Sequence, residues 1–337
     1  MQLRLNEAMP NPKTTFEEIK NEIKTKRDAL ERIHKARFAV RAYNTRPTAP
    51  ITERALEFAE RALHVKAPRR FSLLAQGDSW FDYPPGTDLI DCLHSNHGHR
   101  IVNIAVAGST LNDEAYGPVP RELFGLPTGP KQSDDPSRIA ELVHRIQEDR
   151  PEGLLLSAGG NDVAGDEFFS FLNNALSGLD PVNVEVLKGV ISQTFQTAYR
   201  FLIDQALNAA GGSLPIFVHG YDYPFPDGRA VIHFLGWGVG PWFDGPFSQK
   251  NYPREQMDQR RAILKTFIDA MNDMLKSLQN LYQGKVFYVD LRNTLLSHDE
   301  WANELHPTND GFSKLAVKID EALQADMPQA AGAGGGV

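Results

Sequence analysis

The chain contains a single cysteine, Cys92, among 337 residues. One thiol excludes an intramolecular disulfide framework and every site that needs two thiolates, cysteine-rich zinc sites included. No apolar run approaches the roughly 20 residues of a membrane-spanning helix, so integral membrane association is not expected. There is no basic excess either: the formal net charge is -8, which gives no electrostatic reason to expect nucleic acid or an anionic membrane as partner. The opening residues MQLRLNEAMPNPK lack the apolar core of a signal peptide, and the expectation is a cytoplasmic location, with export by a route that reads no N-terminal signal left open. What is present is the apolar share of an ordinary globular protein, 41%, so stability must come from packing.

Residues 1–67 read as a helical N-terminal extension. Apolar Ile19, Ile23, Leu30, Ile33 and Phe38 recur at roughly helical spacing, and a second helix over about 52–65 follows the breaker run TRPTAP. Beyond it, short apolar runs alternate with longer helical patterns. The runs are FSLLAQ (71–76), RIVNIAV (100–106), GLLLSAG (153–159), LPIFVHG (214–220) and KVFYVDL (285–291), and the helical patterns lie near 87–95, 136–149, 187–210, 254–282 and 310–324. Continuous apolar runs of this length are what strands buried on both faces look like. A strand-then-helix rhythm implies a parallel sheet covered on both faces, here one α/β domain over 68–326. Residues 327–337 have too little to bury and are expected to be disordered. Residues 221–253 break the rhythm as an aromatic-rich insertion carrying Tyr221, Tyr223, Phe225, Phe234, Trp237, Trp242 and Phe243. They read either as a substrate lid or wall or as a packing cluster of the loop itself.

Parallel α/β sheets bind ligands at the carboxyl ends of their strands, so the residues after each run carry the functional signal. The first run ends in Gly77-Asp78-Ser79-Trp80, the second in Ala107-Gly108-Ser109, the third in Gly159-Gly160-Asn161-Asp162, and beyond the fifth lies Asn303-Glu304-Leu305-His306-Pro307. All four clusters should meet along one edge. GDS at 77–79, Gly108, GGND at 159–162 and NELHP at 303–307 resemble, in order, the four blocks of the SGNH (GDSL-like) hydrolase superfamily. The resemblance covers almost all of the α/β domain. It implies a flavodoxin-like three-layer α/β/α sandwich around a five-stranded parallel sheet. It further implies a serine-dependent esterase or lipase with Ser79 as nucleophile and His306 as general base. The oxyanion hole would comprise the backbone N–H groups of Ser79 and Gly108 and the side-chain amide of Asn161. Neither cofactor nor metal is implied, and the partner would be a small-molecule or polymer-linked ester. An acyltransferase or carbohydrate deacetylase on the same scaffold, or a non-catalytic lipid- or glycan-binding protein that keeps the fold, stays open.

One position departs from the family pattern: Asn303 stands where aspartate usually holds the histidine. A comparable Asp-to-Asn change in a serine-protease triad lowers turnover about 10⁴-fold, because the wrong imidazole tautomer is held. Three outcomes are open: Asn303 orients His306, the adjacent Glu304 supplies the acid, or the chain is a weak or inactive enzyme. With His306 as an ordinary imidazole base, the rate should fall below about pH 6.5. Trp80, where many relatives carry an aliphatic residue, is expected in the pocket wall. The run GWGVGP (236–241) has its third glycine misplaced for a dinucleotide loop. His94, His97 and His99 in HSNHGH have no matching carboxylate in the sequence and read as a polar turn before the second strand rather than a metal site.

Overall fold

A computed structural model describes residues 68–328 apart from 84–85, 118–121, 124–125, 128–136 and 235–236; 122–123, 126–127, 232–234 and 237–239 are described as backbone only. The expected N-terminal helices and residues 329–337 lie outside the described residues. The described ones belong to one compact unit, Pro68–Val337.

The elements follow in chain order as β1 (Ser72–Gly77), α1 (Leu89–His97), β2 (Arg100–Asn103), α2 (Leu111–Tyr116), α3 (Arg138–Asp149), β3 (Gly153–Ser157), α4 (Val184–Gly189), α5 (Gln196–Ala209), β4 (Ile216–His219), α6 (Asp244–Gln249), α7 (Met257–Leu281), β5 (Val286–Val289) and α8 (Asn309–Asp326). Between α4 and α5, residues Val190–Phe195 form a π-helical turn, so the helix expected over 187–210 starts earlier and is wound more loosely in its middle. The five strands pair in the order β2-β1-β3-β4-β5, all parallel. This 2-1-3-4-5 order is flavodoxin-like, and it reverses direction between β1 and β3. β2 is shorter than its apolar run, although Ile104 and Val106 still donate to the carbonyls of Ala75 and Gly77.

Alternation along the strands separates two cores. Leu74, Leu154, Leu156, Ile216, Val218 and Val286 face one core together with residues of α3, α5 and α7. Leu73, Ala75, Leu155, Phe217 and Val289 face the other, with α1 and α8. The architecture is therefore three layers. Met327, assigned to the tail from the sequence, is 4% exposed and packs in the α1–α8 core. The carbonyl of Pro328 accepts from Arg69. The boundary thus moves by two residues, because a thioether among apolar side chains is worth burying.

The histidine run is not a turn. His94 and His97 lie in the last turn of α1, which Gly98 closes in the left-handed conformation at φ 74. The carboxylate missing from the local sequence arrives from α8: Asp320 bonds His99 Nε2 at 2.9 Å and His97 Nδ1 at 3.1 Å. Phe71 N–H donates to His99 Nδ1, which makes the cluster a joint between β1, α1 and α8. Among the described residues no group of three or more His, Cys, Asp or Glu is arranged to hold a metal. No described helix is long and apolar enough to cross a membrane.

The insertion is pinned from two sides. Glu304, fully buried, accepts from the backbone N–H groups of Gly228 (2.9 Å), Trp242 (2.6 Å) and Phe243 (2.8 Å). Arg260 on α7, also fully buried, donates to the carbonyls of Pro226 and Tyr252, to Asp244 and to Ser248. A buried guanidinium is tolerable only when its donors are filled in this way. Arg260→Leu leaves those acceptors unfilled and should lower the unfolding free energy by about 3 kcal/mol in urea titrations. A change under about 0.5 kcal/mol would contradict the pinning.

Candidate active site

Parallel strands deliver their carboxyl ends to one edge, and three of the four blocks follow strands there. The GDS block at 77–79 turns immediately after β1. At Gly77 a Cβ would lie 2.8 Å from the Ser157 carbonyl oxygen and 2.8 Å from the Phe81 ring, so only glycine lets β1 pass this close to β3. Asp78, next along, is buried; its carboxylate accepts from Trp80 N–H (2.9 Å), Ser157 Oγ (3.0 Å) and Tyr221 Oη (2.6 Å). Burial holds its pKa above the usual carboxylate range despite those donors. Ser79 is thereby left half-buried at the edge, on a turn fixed beneath it.

His306 meets it across 227 positions of sequence: Nε2 lies 2.7 Å from Ser79 Oγ. On the ring's other side Nδ1 lies 3.1 Å from Asn303 Oδ1. The same oxygen accepts from the backbone N–H groups of Leu305 and His306, both at 2.9 Å. Backbone N–H groups can only donate, so they settle which end of the amide is oxygen. His306 must therefore carry its proton on Nδ1 and present a bare Nε2 to the serine hydroxyl. Asn303 Nδ2 donates to Tyr83 Oη at 3.0 Å, and the Tyr83 ring stacks on the imidazole with centroids 4.3 Å apart. The tautomer problem that an Asp-to-Asn change poses in a serine protease is absent here, because the peptide itself pins the amide.

Glu304 does not take the acid's place. Its carboxylate is filled by the three insertion N–H groups, and burial keeps its pKa raised. Of the readings left open by the sequence, the geometry matches the one in which Asn303 orients His306.

The remaining blocks are tied to one another. Asn161 Nδ2 donates to the Ser109 carbonyl at 2.9 Å, leaving its second amide hydrogen unused by that bond. Asp162 Oδ2 accepts from Leu111 N–H at 2.7 Å. Asp162 thus satisfies the first turn of α2, across the edge, rather than a helix that follows it in sequence. Gly108, exposed and at φ 81, has open space where a Cβ would be. Among the described residues no acceptor takes the backbone N–H of Gly108 or of Ser79. Trp80 joins the pocket wall as expected. Its indole Nε1 also donates to the Leu305 carbonyl at 3.0 Å, clamping the histidine block to the serine block. Tyr83 and Tyr221 are the contributors that the four blocks do not point to. Nothing local to either residue signals its role, since each acts on a block distant in sequence.

The expected fall in rate below pH 6.5 assumes an ordinary imidazole, and the surroundings of His306 are not ordinary. His306 is 4% exposed and lacks a charged partner, so burial pushes its pKa down to about 3. His219, sealed among Trp80, Phe81 and Tyr221, is pushed down to about 4 by burial. Both folded values lie below the unfolded value, so the neutral rings stabilise the fold above pH 6.5. That contribution is lost as pH falls from 6.5 toward 3–4, where only the unfolded chain takes up the protons. Nuclear magnetic resonance titration should find His306 still neutral at pH 5. Asn303→Asp should raise its midpoint by about one to three units, since a carboxylate favours the imidazolium. A wild-type midpoint near 6.5 would refute this account of the ring's surroundings.

No protein-family model matches the chain, and no curated protein matches it. Among solved structures it is similar to TesA, at 14% identity over 75% of this chain and 98% of that one, with a TM-score of 0.39. A member of the lipolytic protein G-D-S-L family from Veillonella parvula matches at 15% identity over 74% and 96% of the two chains, with a TM-score of 0.37. An active-site mutant of a family two carbohydrate esterase from Clostridium thermocellum matches at 16% identity over 77% and 64%, with a TM-score of 0.38. The all-parallel five-stranded sheet between two helical layers agrees with the flavodoxin-like three-layer sandwich that the SGNH resemblance implies.

Proposed function

We propose that this protein is a serine-dependent carboxylic ester hydrolase of SGNH type that works through an acyl-enzyme on Ser79. The observation that carries the reading is the 2.7 Å contact between Ser79 Oγ and a His306 Nε2 left unprotonated by the fixed Asn303 amide. A serine hydroxyl is a weak nucleophile until a neighbouring base takes its proton. His306 Nε2 takes it as Oγ bonds to the ester carbonyl carbon. The carbonyl oxygen becomes an oxyanion, met by the backbone N–H groups of Ser79 and Gly108 and the free amide hydrogen of Asn161, each such donor contributing about 3 kcal/mol. His306 then passes its proton to the leaving alkoxide as the carbon–oxygen bond breaks. Water gives a proton to the same nitrogen, attacks the acyl carbon, and Ser79 departs with the proton.

The imidazolium that forms midway has no carboxylate beside it. The Asn303 carbonyl dipole on Nδ1–H and the face of the Tyr83 ring, 4.3 Å away, support its charge in part. A base of low pKa is a weaker proton acceptor but is ready over a wider pH range. The rate should therefore hold below pH 6.5 rather than decline there.

A fluorophosphonate should label Ser79 in the wild-type protein and leave Ser79→Ala unmodified. Asn161→Ala should lower kcat on a small ester by about 10²–10³-fold. A folded protein that resists labelling would instead favour a non-catalytic binder on the same fold. Alcohol acceptors added to the assay separate a hydrolase from an acyltransferase, since only the latter diverts its acyl group from water to the acceptor.

A further inference from the structure

A cavity of about 60 Å³ opens at Ser79 on the side of Gly159, Gly160 and Asn161. Its wall is almost wholly apolar: Ile191 and Phe195 from the π-helical turn, Phe267 and Met271 from α7, Val163, and Phe243 from the insertion. The side-chain carboxylates in that wall are already filled. Asp78 and Glu304 hold three donors each, and Asp222 accepts from the backbone N–H groups of Tyr223, Asn293, Thr294 and Leu295. Tyr221 Oη is used by Asp78 and Gly160. Among the described wall residues, the buried polar side-chain group without a partner is the indole N–H of Trp301. One donor cannot satisfy the several hydroxyls of a sugar ring, and each one stranded in an apolar wall is costly.

The direction of the cavity matters as much as its lining. In an ester bound for attack, the carbonyl oxygen turns to the N–H donors and the leaving oxygen must reach His306 to be protonated. His306 contributes nothing to this cavity's wall. The third substituent, the acyl chain, has the cavity to itself.

Resting on the hydrolase reading above, we infer that this cavity is an acyl pocket for short, unbranched aliphatic chains, with Met271 setting its depth. A water-sized group needs about 10–15 Å³ of such a cavity, so the space takes about four to six chain carbons. Met271 reaches across the pocket to Gly159: a Cβ on that glycine would lie 2.6 Å from the Met271 methyl and 3.4 Å from the Phe195 ring. Met271 is unbranched and adaptable, and its truncation lengthens the channel.

The test is kcat/KM of the unmodified protein on nitrophenyl esters from acetyl to dodecanoyl. Each methylene that fits should raise kcat/KM about fourfold, giving a maximum at butanoyl to hexanoyl and a fall of at least about tenfold by dodecanoyl. Met271→Ala should move the maximum two to three carbons longer. Binding of butanoate, hexanoate and dodecanoate to Ser79→Ala by calorimetry reads the pocket without the reaction. A maximum at acetyl, or a flat series to dodecanoyl, overturns the pocket assignment while leaving the hydrolase intact. Chain-length-dependent binding of the carboxylates with no labelling of Ser79 overturns the hydrolase and keeps the pocket.

Discussion

The amide of Asn303 is the constraint on which the active edge depends. Its oxygen gathers three N–H donors within one turn of chain, two from the backbone of its own block and one from the imidazole. This closes the block into a loop held by its own hydrogen bonds. His306 is then oriented by a neutral group with a fixed polarity, and the ring's burial keeps it uncharged. An aspartate could hold the ring equally well but would draw a proton onto it. The neutral partner trades stabilisation of the imidazolium for a ring that resists protonation.

Around that loop the other blocks are fastened pairwise. Trp80 ties the serine turn to the Leu305 carbonyl, Asn161 and Asp162 tie the third block to the second, and Asp78 ties the serine turn to β3 and Tyr221. Each fastening joins segments that are distant in sequence. The reacting groups are held by a hydrogen-bonded rim as well as by the sheet beneath, an arrangement suited to chemistry that tolerates little misplacement.

Much of this is legible in the sequence, because the strands are buried on both faces and so appear as unbroken apolar runs. Their order along the chain also places Gly77, Gly108, Gly159 and Asn303 at the ends where a parallel sheet collects its ligands. The legible part stops where partners come from far away. Glu304 and Asn303 are both polar neighbours of a histidine. Only the fold reveals that one carboxylate is consumed by Gly228, Trp242 and Phe243 while the amide serves the ring. Likewise HSNHGH shows no carboxylate until α8 brings Asp320 to it. Met327 looks like tail because a single large apolar residue beside an Ala- and Gly-rich run gives no periodic signal, yet it packs into the α1–α8 core. The pH behaviour of His306 could not be read either, since burial of a single ring is a property of everything packed around it.

Glu304 sits two residues from His306 and holds the aromatic insertion by its backbone. The aromatic insertion and the segment that carries His306 therefore share one mechanical joint in this protein. A loop exchanged to admit a different substrate must reproduce three N–H donors at that carboxylate, or the strand of chain carrying the imidazole will shift with it.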